Sequence, residues 1–119
     1  MRYALLVYVD EKRTAAMPPD EMGALMGGYR ALEQELGAKK AKLAGEALQP
    51  IAAATSLRVR NGKPVVTDGP FAETKEQLGG FYVLECRDLD EAVAWAAKIP
   101  NAKNGTIEIR PVWDWKEAQ

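Results

Sequence analysis

The chain contains no histidine and a single cysteine, Cys86, in 119 residues. Without His, the usual general base near neutral pH and the commonest metal ligand are both missing. Ser-His-Asp triads, His-assisted cysteine nucleophiles and His-containing zinc sites are therefore excluded. A lone Cys excludes an intramolecular disulfide and a Cys-rich metal cluster, and it suits a reducing, cytoplasmic compartment. An excess of either charge is missing too: 16 Lys and Arg stand against 17 Asp and Glu, a formal net charge of -1. Affinity for nucleic acid rests on clustered cations that neutralise phosphates, so no nucleic-acid partner is expected. No apolar run approaches the ~20 residues of a membrane span. The opening MRYALLVYVDEKR lacks the charged start, full apolar stretch and small-residue cleavage site of a secretory signal, so no membrane partner is expected either. Linkers, repeats and low-complexity stretches are absent as well. Residues 1–119 are expected to form one domain, burying roughly two-thirds of the unfolded surface.

What is present is a clear alternation of strand and helix patterns. Arg2 to Val9 places Tyr3, Leu5, Val7 and Val9 against Ala4, Leu6 and Tyr8, an extended run that is apolar on both faces and must be covered on both. After a polar loop over Asp10 to Pro19, Pro18-Pro19-Asp20 signals a helix start. Met22, Leu25, Met26, Tyr29, Leu32 and Leu36 then recur at helical spacing, and Gly37 marks the expected end. Gly23, Gly27 and Gly28 within this helix cost about 1 kcal/mol each relative to Ala; close packing against a sheet would be a reason to keep them, a merely weakened helix the simpler account. Ala41 to Gln49 reads as a second strand. Asn61-Gly62, between Ser56–Arg60 and Lys63–Thr67, is the hairpin signal of a type I′ turn, and Pro64 keeps that hairpin off a sheet centre. Gly80 to Cys86 is a further strand apolar on both faces. Asp88 with Glu91 predicts a capping box, opening a helix whose core stripe is Leu89, Ala92, Val93, Ala96 and Ala97 and which Pro100 stops. Thr106 to Val112 is the last strand, marked as an edge by Pro111.

The order β-α-β, hairpin, β-α-β predicts an α+β fold of ferredoxin-like βαββαβ type with an inserted β-hairpin. The two doubly apolar strands belong at the sheet centre. Two helices cover only one sheet face, and the apolar residues left on the other exceed the few hundred Å² that monomers usually expose. Face-to-face homodimerisation into a shared α+β barrel is the simplest cover.

The segment Val66-Thr67-Asp68-Gly69-Pro70-Phe71-Ala72-Glu73-Thr74-Lys75-Glu76-Gln77-Leu78-Gly79-Gly80-Phe81 resembles the signature of DGPF-domain proteins, a branch of the YCII-related family. The likeness continues through Gly45–Pro50, Asp88–Ala92, Lys98–Pro100 and Glu108–Val112, and covers essentially the whole chain. It implies the dimeric α+β barrel already suggested by the face count, but little about activity. The His-Asp pair proposed as catalytic in some YCII-related proteins has no counterpart in a chain without His. DGPF-type genes are often organised beside extracytoplasmic-function sigma factors, which is association rather than mechanism.

Read physically, Asp68-Gly69-Pro70 is a turn, with Phe71 expected to anchor the loop behind it. Glu73 and Lys75 place charges of both signs there. The segment suits either a lock between hairpin and barrel or the rim of a pocket. For a pocket inside the barrel, the polar residues to examine are Tyr8, Glu46, Asp68 and Arg110. An inward Arg110 would need an anion, from Glu46, from Asp68 or from a carboxylate ligand. If the site does chemistry, a carboxyl group in an apolar interior is the expected acid or base, Asp68 before Glu46. Cys86 reads as a buried, inert thiol, Trp113 and Trp115 as core or interface filling, and Arg58, Arg60 and Lys63 as a solvated face. No metal or organic cofactor is expected. The leading expectation is a cytoplasmic homodimer with a small-molecule pocket, as a binding or sensing module or a cofactor-independent enzyme, with a small carboxylate-like molecule as the candidate ligand; the alternative is a protein-interaction partner in sigma-factor regulation.

Overall fold

The computed structural model describes residues 1–118. Strand β1 (Arg2–Val9) is followed by a short helix α1 (Glu11–Ala15), the long helix α2 (Pro19–Lys39) and strand β2 (Lys42–Ala47). A 3-10 turn at Ile51–Ala53 leads into β3 (Thr55–Arg60) and β4 (Lys63–Asp68), and then come β5 (Gln77–Glu85), α3 (Leu89–Ala97), a second 3-10 turn (Pro100–Lys103), β6 (Thr106–Pro111) and a final turn α4 (Trp115–Ala118).

Local chemistry accounts for most of these boundaries. The loop expected after β1 contains α1 because the Asp10 carboxylate accepts hydrogen bonds from Lys12 N (3.0 Å) and Arg13 N (3.4 Å), a side-chain cap for otherwise orphaned donors. Helix α2 starts with Pro at its first position, where the missing N–H costs nothing. It runs past Gly37 to Lys40, which takes the left-handed conformation (φ 52°) while Ala41 N donates to Leu36 O at 3.0 Å. Asp88 caps α3 by accepting from Glu91 N at 2.9 Å, but the Glu91 carboxylate reaches back to Arg87 N rather than to Asp88 N. Asn61 and Gly62 both have positive φ (53° and 75°), as a type I′ turn requires.

Four strands form one antiparallel sheet in the order β2-β5-β1-β6, with the two doubly apolar strands at its centre. Alternation along the strands sends Tyr3, Leu5, Val7, Tyr82 and Leu84 to the helical face, where they pack with Leu32, Leu36, Ala92, Ala96 and Ile99. The α3 stripe is narrower than its sequence pattern: Ala92 and Ala96 are buried, whereas Leu89 and Val93 are exposed. Gly28 owes its place to close packing, against the ring of Pro100 and not the sheet, since a Cβ there would lie 2.8 Å from Pro100 Cγ. Gly23 and Gly37 face open space. Ala4, Leu6, Phe81 and Val83 stand on the other sheet face, half-buried and outside the core cluster.

The sheet of this one chain is open, not a closed barrel. Strands β3 and β4 pair only with each other, as a separate two-stranded ribbon. The described residues extend 49 × 48 × 19 Å with a radius of gyration of 16.5 Å, against about 13.5 Å for a compact domain of this length. The ribbon is therefore an arm. Its register puts Leu57 opposite Val66 and Val59 opposite Pro64, making one apolar face, with Arg58, Arg60 and Lys63 on the other. No described helix is long and apolar enough to cross a membrane.

Candidate functional site

The residues singled out in the sequence do not converge on one point. Tyr8 and Arg110 lie on the sheet face away from the helices, where Tyr8 OH donates to Glu108 Oε1 at 3.5 Å and Arg110 Nη2 lies 3.5 Å from Glu108 Oε2. Glu108 is thus the anion beside Arg110, in place of Glu46 or Asp68. The arginine side chain is 67% exposed, so it has escaped the desolvation that would have demanded a buried partner. Asp68 ends β4 opposite Thr55 and is exposed. The turn after it is stitched down by its neighbours: Gly69 N donates to Ala54 O at 2.7 Å and Ser56 Oγ donates to Gly69 O at 2.7 Å. Gly69 needs to be glycine here because its φ is 99°. Phe71, expected to anchor this loop, is 80% exposed. Glu73 and Lys75 are exposed beside it. Of the two proposed acid-base carboxylates, neither sits in an apolar interior within this chain: Asp68 is at the base of the arm and Glu46 is exposed on edge strand β2.

The most apolar concavity lies on the opposite side of the sheet, between α2 and the β2-β5 edge, with a volume of about 660 Å³, within the usual range for small-molecule pockets; one of equal volume on the other flank of α2 is more polar. The apolar one originates in a row of missing side chains. On the helical face, Gly45 pairs with Tyr82, and Ala47 with Gly80, which in turn pairs with Val7. A Cβ at Gly80 would lie 3.0 Å from Glu46 O, a tight contact that glycine avoids where β2 and β5 pair. Large α2 side chains have nothing to pack into here. Leu32 and Leu36, farther along the same stripe, are buried, while Met22, Leu25 and Met26 form the groove's roof.

Polar groups gather at one end. Tyr29 OH donates to Oδ1 of the buried Asn101 at 2.5 Å, and Asn101 Nδ2 donates to Asn104 Oδ1 at 3.0 Å. Lys42 Nζ bridges both oxygens of Glu33, at 2.9 and 3.1 Å, and lies 5.6 Å from the Tyr82 ring centroid. Burial pushes the Tyr29 phenol up to about 12. Burial, with the Glu33 carboxylate second, does the same for Tyr82. Both phenols are neutral hydrogen-bond donors across the physiological range. Arg30 lines the mouth, and among the described residues it forms no ion pair. Of the sequence candidates only Glu46 borders this groove. Tyr29, Arg30, Glu33, Lys42 and Asn101 were not legible as a group; the available hint was the run of small residues at Gly45, Ala47 and Gly80.

Two further groups have structural explanations. Cys86 is 2% exposed, and burial followed by the nearby Glu91 carboxylate raises its thiol pKa, which leaves little reactive thiolate. Among the described residues no three His, Cys, Asp or Glu side chains assemble a metal-holding cluster.

An antiparallel sheet covered on one face by two helices, with a half-open apolar groove beneath one of them, defines an α+β protein. The chain belongs to the YCII-related family, whose domain matches residues 1–116. An uncharacterized protein of Rhizobium meliloti (strain 1021) is 41% identical over 122 residues, an alignment spanning 100% of this chain and 98% of that relative.

Proposed function

We propose that this YCII-related chain is a cytoplasmic small-molecule-binding or sensing protein of the DGPF branch, acting as a homodimer. The observation that carries the reading is the 660 Å³ groove beneath α2, apolar along its length and polar at one end. The ferredoxin-like reading of the strand order and the DGPF signature over Val66–Phe81 support the same assignment. So does the sheet face bearing Leu6, Phe81 and Val83, which a second copy would cover to make the dimeric barrel. Of the sequence candidates Glu46 borders the groove, through its backbone, whereas Asp68, Phe71, Glu73 and Lys75 belong to the arm and its loop.

The test is a thermal-shift screen of small soluble amphiphiles against the wild type and Met26→Trp, a substitution on the exposed helix face that fills the groove. Stabilisation of the wild type that disappears in M26W supports the reading; equal stabilisation of both proteins rejects the groove as the site. Light scattering at micromolar concentration tests the dimer, and a monomer would remove it. A second reading, protein interaction in extracytoplasmic-function sigma-factor regulation, is favoured by the exposed apolar row Leu57, Val59 and Val66 on the arm. L57S/V66S that stays dimeric but no longer binds a sigma factor would support it.

A further inference from the structure

The charges around the groove discriminate among ligands. Glu33 is already occupied by Lys42, with both carboxylate oxygens within 3.1 Å of the ammonium. Glu46, one residue beyond the helix-facing Gly45 and opposite Phe81, projects its side chain to the other sheet face by strand alternation and contributes backbone to the groove. The charge left over is Arg30. Its guanidinium folds back over Gly27, with Nη2 only 3.8 Å from where a Cβ at that glycine would stand. Arg30 is itself one of the residues that border the groove, one helical turn from the Glu33–Lys42 pair. A cation entering here would meet Arg30 and Lys42 and find no uncommitted carboxylate. An anion would find a planar fork of N–H donors at the mouth, an apolar channel between Met22 and Met26 above and Val7, Val9 and Gly80 below, and neutral phenols at Tyr29 and Tyr82.

We infer that the ligand of this groove is a small amphiphilic monocarboxylate, its carboxylate paired with Arg30 and its apolar body lying beneath the first half of α2. This inference rests on the small-molecule reading above and narrows it to one chemical class. A bidentate pair at a half-open mouth is worth about a tenfold preference for the acid over an uncharged analogue of the same body.

Three matched probes test it by isothermal titration calorimetry at pH 7: 4-phenylbutyrate, 4-phenylbutanol and 4-phenylbutylamine. The expected order is acid about tenfold tighter than alcohol, with the amine weakest. R30M should remove the acid's advantage without changing alcohol binding, R30K should restore part of it, and M26W should abolish binding of acid and alcohol alike. Circular dichroism would show that each variant is folded. If the alcohol or amine binds as tightly as the acid, or R30M keeps the preference, the carboxylate assignment is overturned while loss of binding in M26W still upholds the groove. If no probe binds, or M26W binds all three as the wild type does, the small-molecule reading of this groove fails and the carboxylate assignment falls with it.

Discussion

Replacing Tyr29 with Phe removes one oxygen atom and leaves a buried acceptor without its donor. In the native fold Tyr29 OH lies 2.5 Å from Asn101 Oδ1, and Asn101 is 7% exposed. Its amide nitrogen is already committed to Asn104 Oδ1, so the side chain cannot gain by flipping. An unsatisfied buried acceptor costs about 1–3 kcal/mol. The half-open groove admits some water to the Tyr29 side, which places the expected loss near the middle of that range, about 2 kcal/mol. For 119 residues the unfolding entropy near 60 °C is about 250 cal/mol/K, so Tm should fall by about 8 °C. Thermal and urea unfolding of wild type and Y29F, at one protein concentration because any association of copies would add to apparent stability, would measure it. The companion variant Y29F/N101L removes both partners of this bond and should regain part of the loss; Asn104 Oδ1 loses its Asn101 donor but is only half-buried, so water can replace it. A Y29F protein within 0.5 kcal/mol of wild type, or a double variant no better than the single, would refute this account of the groove wall.

Three other outcomes follow from the same structure. A Cβ at Gly105 would overlap the backbone oxygen of Tyr8 and lie 3.1 Å from Asn101 O; since both neighbours are main chain, G105A should cost about 3 kcal/mol in urea unfolding, whereas G23A, facing open space on α2, should gain about 0.8 kcal/mol. Stability should also decline as pH rises from 10 towards 12: Tyr29 and Tyr82 keep their protons in the fold to about 12, while the unfolded chain releases them near the model-peptide value of 10.0. That contribution is complete below pH 10 and is lost through the folded value, so Y29F/Y82F should show a shallower alkaline loss, and an unchanged slope would reject the assignment.

Much of the architecture was legible in short stretches of sequence. The doubly apolar runs of β1 and β5 identified the central strands, because only strands with neighbours on both edges and cover on both faces tolerate such patterning. Asn61-Gly62 identified its turn and Asp88 its cap because those preferences act within three or four residues. The first loop differs from its sequence reading for a related reason: Asp10 caps a short helix there, but the five residues of α1 carry no apolar stripe to reveal it. The core stripe of α2 was legible as a pattern, yet nothing local showed that its first half would roof a cavity instead of entering the core.

Sequence by itself determined the order of the six strands and the two main helices, the chemistry of the Asn61-Gly62 turn and the Asp88 cap, and the exclusion of His-dependent catalysis. Tertiary structure alone decided where a ligand-sized space lies. It did so through register and long-range proximity: Gly45, Ala47 and Gly80 aligned on one face beneath α2, Asn101 brought to Tyr29 across 72 positions, and Glu108 instead of Glu46 or Asp68 set beside Arg110. Residue type sets what a side chain can do, but desolvation and pairing depend on which atoms arrive next to it, whether from a strand neighbour, as Glu108 beside Arg110, or from far along the chain, as Asn101 beside Tyr29.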